Sequence, residues 1–403
     1  MSKWIEGKLK DLVEVNPTVK LRKGEIYPFV SMDVIQPFYK PVEAKEEREF
    51  KSGGAKFENG DTLFARITPC LENGKIAQVK NLKNGKGFGS TEFIVLRGKE
   101  GITDTDFVYY LVTNKSFREN AERLMVGTSG RQRVDKQQFE DQIISIPDLE
   151  TQKRISSILG SIDKKIELNI EMNKTLEEMA MTLYKHWFVD FGPFQDGEFE
   201  ESELGMIPKG WKVSSLKEFA NILMGQSPKS EFYNRERKGL PFHQGVKDFG
   251  IRYPIHTVYC TQELRVAKKG DILLSVRAPV GRINIANSKL VIGRGLSALN
   301  SKSGHNSFLL YTLKRIFAFE DQYGSGTVFN SISKKDIEQL KFIRPSQEVL
   351  DNFEKHVSKF DSLIESNTKE IEELQGLRDY LLPRLLSGEI DVSKAEKQVE
   401  EVL

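Results

Sequence analysis

A heptad beat runs along two stretches of the chain. In the first, Ile155, Ile162, Asn169, Leu176 and Leu183 recur every seven residues, with Leu159, Ile166, Asn173 and Ala180 interleaved. In the second, Phe353, Phe360, Asn367, Leu374 and Leu381 keep the same beat, with Val357, Ile364 and Ile371 between them. Apart from Gly160 and Gly376, no glycine or proline interrupts either run. An a/d seam held for more than four heptads predicts a long helix of the coiled-coil kind, because a globular helix commonly ends after ~8–20 residues. Two amphipathic helices packed separately on globular cores are the other reading. Asn169 and Asn367 take matching seam positions, where a polar side chain fixes register at some cost in stability.

Elsewhere the pattern is shorter. Thr91 to Leu96 and Asp271 to Val276 read as strands, and Phe107 to Leu124 reads as helical. The expected architecture is α/β (α+β): a globular domain over 1–147, a helix over 148–190, a linker over 191–208, a second domain over 209–345, a second helix over 346–390, and a tail over 391–403. The linker holds Gly192, Pro193 and Gly197 among acidic residues and is expected to be exposed. The polar tail is expected to fray.

The two domains repeat one another. GDTLFARITPC begins at Gly60 and GDILLSVRAPV at Gly270, an offset of 210 residues. Pro28-Phe29 matches Pro241-Phe242, Phe107 to Tyr110 matches Phe308 to Tyr311, and Gly127-Thr128 matches Gly326-Thr327. From Pro147 the offset settles at 198, so that Asp163, Asn169 and Leu176 become Asp361, Asn367 and Leu374. Drifting offsets place the insertions in loops, whereas the constant one predicts an uninterrupted element.

The net charge of +2 conceals an alternation: +3 over 1–147, −7 over 148–206, +13 over 207–345 and −7 over 346–403. Basic blocks of this kind suit a polyanionic partner, or are ordinary charged surfaces. Cys70 and Cys260, in separate halves, give no disulfide framework. With no apolar run near the ~18 residues of a membrane span and no apolar leader, the sequence reads as cytosolic.

Catalytic signatures are missing. There is no phosphate-binding Gly-x4-Gly-Lys-Ser/Thr loop and no Asn/Asp-Pro-Pro-Tyr/Phe sequence. His186, His243, His256, His305 and His356 stand without metal-ligand spacing. The chain reads as a recogniser and not a catalyst.

Three segments resemble one family. They are Tyr184-Lys185-His186-Trp187-Phe188-Val189-Asp190-Phe191-Gly192-Pro193-Phe194, followed by Ser202 to Trp211; Ile146-Pro147 with Gln152 and Ile155; and Leu382-Pro383-Arg384-Leu385-Leu386-Ser387-Gly388-Glu389-Ile390. They are similar to conserved regions of the specificity subunits of type I restriction–modification systems. The second copy departs at Leu350 and Asp351, which stand where Gln152 and Lys153 stand in the first. The resemblance implies a non-catalytic subunit whose two target recognition domains each bind half of a split double-stranded DNA sequence. Two long antiparallel helices would space the domains and dock two methyltransferase subunits, with restriction/translocase subunits joining them. It implies no cofactor in this chain; S-adenosylmethionine, ATP and Mg2+ would belong to the partners. A coiled-coil adaptor indifferent to DNA, or a nuclease in its own right, are the competing functions.

On this reading the candidate DNA contacts fall in two groups. Thr128, Arg131, Gln132, Arg133 and Thr327 lie in the repeated glycine loops, and Arg66, Lys75, Arg277, Arg282 and Arg294 lie near the Gly-Asp strands. Glycine loops let a backbone approach phosphate, and an arginine fork matches guanine O6 and N7. Each of these residues could equally sit in a surface turn or an ion pair. Tyr184, Trp187, Phe188 and Phe191 are candidates for an exposed partner surface, or for the anchor of the helix end on the second domain.

Overall fold

The computed structural model describes residues 4–128, 130–322 and 331–403. Two heptad-patterned helices dominate it, Leu149–Phe188 and Gln347–Ser387. The chain divides into two compact units, and the division cuts both helices. The first unit is Met1–Ile170 with Thr368–Leu403, and the second is Glu171–Asn367. Each unit therefore holds one globular domain, part of one long helix and part of the other.

Within the first unit the helix segments pair antiparallel. Asp163 bonds Arg378, Lys165 pairs with Glu370, and Asn169 donates its side-chain amide to Glu370 at 2.9 Å. Within the second, Asn367 donates to Asn173 at 2.9 Å. Both seam asparagines thus hydrogen-bond across the helix pair, as a register-fixing polar residue should. The beat positions Ile155, Ile162, Leu374 and Leu381 are buried in the first unit, and Phe353 and Val357 in the second.

The globular domain of the first unit carries two larger sheets. One orders Val13–Val15, Phe93–Gly98, Thr62–Ala65, Ile76–Val79 and Pro41–Val42; the other orders Glu46–Glu49, Ile26–Val30, Lys86–Gly89 and Ala55–Glu58. The second unit repeats the plan. Ala220–Met224, Leu296–Ser301, Ile272–Ser275 and Ile283–Ile285 form one sheet, in the order of the first four strands above. Its other sheet again contains a parallel pair, Leu240–His243 with Leu290–Ile292, matching Ile26–Val30 with Lys86–Gly89. The buried helix Thr105–Thr113 lies in one core cluster with the strands and the first long helix, through Phe107, Tyr110, Phe64 and Ile162.

Two expectations are corrected. The segment expected as an exposed linker is largely exposed, but it is built as a hairpin, Phe199–Ser202 against Gly205–Pro208, with Gly205 at φ +95°. The tail expected to fray forms a helix, Val392–Glu400, N-capped by Asp391. Its Ala395 and Val399, one turn apart, are buried in the core of the first unit.

Candidate nucleic-acid interface

The repeated phrase is a turn, a strand and a second turn. Gly60 and Gly270 take φ of +91° and +86°, a conformation that costs glycine little. The following aspartate then closes the turn on the residue three earlier: Asp61 accepts from the Glu58 N–H at 2.7 Å and Asp271 from the Lys268 N–H at 2.8 Å. Arg97 grips Asp61 with two bonds, at 2.6 and 2.7 Å, whereas Asn300 holds Asp271 at 3.0 Å. Burial pushes the Asp61 carboxyl up, and Arg97 opposes it. Both strands end in a turn with a cis peptide, Thr68–Pro69 and Ala278–Pro279.

Antiparallel pairing brings several candidates to one end of each sheet. In the first domain Ala65 pairs with Phe93 and Phe64 with Ile76. Arg66, Glu92 and Lys75 stand at that end. The loop 127–133 joins them, because Ile67 bridges Arg133 and the Gln132 N–H donates to Thr68 Oγ1 at 3.0 Å. Thr128 and Arg131 are exposed on this loop, where the Arg131 N–H closes a turn on the Thr128 carbonyl. Glu92 accepts from Arg133 through Nε at 3.0 Å and Nη2 at 2.7 Å, while Arg66 Nε stays 3.7 Å away. The Arg133 guanidinium holds the Glu92 carboxyl below its ordinary range. Lys75 turns inward and donates to the Met32 carbonyl at 2.7 Å, so its amine is committed within the domain.

In the second domain Ser275 pairs with Leu296 and Leu274 with Ile283, which puts Arg277, Arg282 and Arg294 at the equivalent end, all exposed. The Arg282 N–H donates to Ser275 Oγ at 2.8 Å and the Arg294 N–H to Ser227 Oγ at 3.1 Å. Thr327 lies outside the described residues.

The aromatic cluster is not an exposed surface. Tyr184 and Phe188 are buried in the core of the second unit, and Trp187 and Phe191 pack half-buried against it. Phe188 meets Phe308 and Phe353 edge-on, each with ring centres 4.9 Å apart. These residues anchor the helix end on the second domain, which corrects the expectation of an open partner site.

Several residues, most of them named above only for the repeat or the resemblance, prove to be anchors. Gln152, fully buried, accepts from the Asp104 N–H at 2.9 Å and donates to the carbonyls of Ile102 and Pro147. In the second copy Leu350 is core. Glu354 instead caps the helix Asn306–Gln322, accepting from the Ser307 N–H at 3.1 Å and Ser307 Oγ at 2.9 Å. Asp163 and its repeat Asp361 each bind an arginine, Arg378 of the second helix in one unit and Arg252 of the globular domain in the other. The available signal was an aspartate repeated at offset 198 inside an apolar seam. Among the described residues no cluster of metal-ligating side chains occurs, and no helix is long and apolar enough to cross a membrane.

Comparison with known proteins agrees with this layout. The family profile of the type I restriction modification DNA specificity domain matches residues 1–178 and 208–376. The chain is 32% identical to a Methanocaldococcus jannaschii protein assigned by name to the type I restriction enzyme specificity subunits (MjaX), covering 96% of this chain and 94% of that one. It is 25% identical to the HindI specificity subunit of Haemophilus influenzae, covering 97% and 100%. A solved type I restriction–modification S subunit from M. genitalium superposes with a TM-score of 0.54 at 18% identity, over 95% of this chain and 96% of that one, a likeness of fold.

Proposed function

The chain belongs to the type I restriction–modification specificity subunits, and from that premise we propose that it is the sequence-reading component of a DNA-modifying complex, without catalysis of its own. Each globular domain reads one half of a split double-stranded target. The single observation that carries this reading is the shared plan of the two units: each places arginines at the same end of the same sheet. Two related readers in one chain suit a target of two different halves, because duplex DNA offers both halves the same backbone geometry. The two long helices set the unread gap.

Two methyltransferase subunits dock on the helices, and restriction/translocase subunits complete the assembly. Exposed apolar side chains support this placement: Leu168 and Tyr380 in the first unit, and Met172, Met179 and Leu363 in the second. S-adenosylmethionine, ATP and Mg2+ enter with those partners, in the cytoplasm. Arg131, Arg277, Arg282 and Arg294 are the exposed arginines placed to meet DNA, with Thr128 at a phosphate. Modification mapping of host DNA with and without this gene tests the proposal. One split motif with a fixed gap should lose its methylation on deletion, and an unchanged pattern would overturn it.

A further inference from the structure

The two domains share a backbone frame at the arginine-bearing end of their sheets. The Arg66 N–H donates to the Glu92 carbonyl at 2.9 Å, and the Arg66 carbonyl accepts from the Val134 N–H at 2.8 Å. In the second domain the Val276 N–H donates to the Gly295 carbonyl at 2.9 Å, and the Val276 carbonyl accepts from the Ile332 N–H at 3.0 Å. The bridges Ile67 to Arg133 and Arg277 to Ser331 complete the match. Arg66 is therefore the structural equivalent of Val276, Glu92 of Gly295, and Arg133 of Ser331. One frame carries a charged triad in the first domain and three uncharged residues in the second. Residues far apart in sequence differ as a set.

The triad is short of one acceptor. Arg133 uses both oxygens of Glu92, while Arg66 makes no side-chain hydrogen bond among the described residues and its Nε is buried without a partner. A buried donor in that condition is costly to hold, and the terminal guanidinium nitrogens, unbonded as well but not buried, are left for an acceptor that arrives from outside. Both side chains can be reached, that of Arg66 being 18% and that of Arg133 41% exposed.

Resting on the DNA-reading function above, we propose that Arg66, Glu92 and Arg133 form a base-reading element of the first domain. Arg66 takes an acceptor on a base edge, with guanine O6 and N7 as the pair that fits its fork. Glu92 is a positioning residue that holds Arg133 beside it. A phosphate contact carries no sequence information and would serve both domains equally. A triad present in only one of two equivalent frames fits a base reader instead. The second domain has no room for it: a Cβ on Gly295 would stand 2.5 Å from the Gln244 carbonyl oxygen, so that backbone occupies the place of the Glu92 side chain.

The test uses the full chain assembled with its methyltransferase partner, as wild type, Arg66→Lys and Glu92→Gln. Binding is measured at fixed salt to duplexes in which each base pair of the target is replaced in turn. Arg66→Lys keeps the charge and loses the fork. Discrimination at one G·C pair of one half-site should fall by about 5- to 150-fold, with the other half-site unaffected. Glu92→Gln should weaken discrimination at that same pair. Weaker binding to every sequence alike identifies a phosphate contact and overturns the proposal. Unchanged discrimination, whether or not the variants unfold at a lower temperature, identifies an ion pair with no reading role and also overturns it. A wild-type complex with no sequence preference would overturn the reading function itself, a result distinct from both.

Discussion

Arg378 of the second long helix donates Nη1 to Oδ1 of Asp163 in the first at 2.8 Å, and both side chains are buried. Tyr110 of the globular domain donates its hydroxyl to the other carboxylate oxygen at 2.7 Å. One buried carboxylate therefore ties the helix pair to the first recognition domain. Removing one partner leaves a charge in a low-dielectric site, which typically costs about 3–5 kcal/mol, whereas replacing both by apolar residues is often close to neutral. Arg378→Met should destabilise the chain by that amount, and Asp163→Leu combined with Arg378→Met should recover most of the loss. Denaturant unfolding of the single and double variants measures it.

Asn169 spends its amide on Glu370 but leaves its carbonyl oxygen buried without a hydrogen bond. Asn169→Leu should therefore raise stability by about 1 kcal/mol or more. It should also loosen the register that the asparagine specifies. Thermal unfolding reads the first effect. Disulfide trapping between cysteines placed on the two helices reads the second, as the appearance of a shifted pairing.

His243 and His256 share a hydrogen bond of 2.9 Å between their rings inside the second domain. Burial, reinforced by His256, pushes His243 down to about 4 from the ordinary histidine value near 6.5. The unfolded chain then binds a proton more readily than the folded one between those values. Stability from the neutral form is complete above about pH 6.5 and is lost as pH falls toward about 4. That loss amounts to about 3 kcal/mol at most, and His243→Gln should flatten this part of the pH profile of unfolding.

Phe188 separates an anchor from a docking surface. Phe188→Ala should cost about 3–5 kcal/mol as a core truncation, read by denaturant unfolding. A partner site would instead lose methyltransferase binding at unchanged stability. Met179→Asp, at an exposed helix position, should show that second pattern in a pull-down with the methyltransferase subunit.

The repeat and the long helices were legible because both signals are local: a heptad beat, and a phrase written twice. The anchoring role of Tyr184 and Phe188 was legible too. They continue the buried face from Ala180 at four-residue steps, although aromatic composition pointed outward. The helix Val392–Glu400 carries a similar signal in Asp391, Ala395 and Val399, obscured by its polar surroundings. Glu92 was out of reach. It meets Arg66 only through the pairing of two strands and Arg133 only through a bridge across the sheet end, and neither register is written in the local sequence. The equivalence of Arg66 with Val276 likewise emerges from backbone hydrogen bonds, since the adjacent Arg277 obscures it in the sequence alone.

The most direct measurement is a domain exchange read by modification mapping. Residues 1–147 are replaced by the corresponding segment of a relative with a different target, both long helices being kept, and host DNA is sequenced for methylated bases. One half of the split motif should change to that of the donor while the other half and the gap stay as they were. A motif that changes in both halves, or in neither while the hybrid assembles with its methyltransferase, would contradict the assignment of one reader to each half-site.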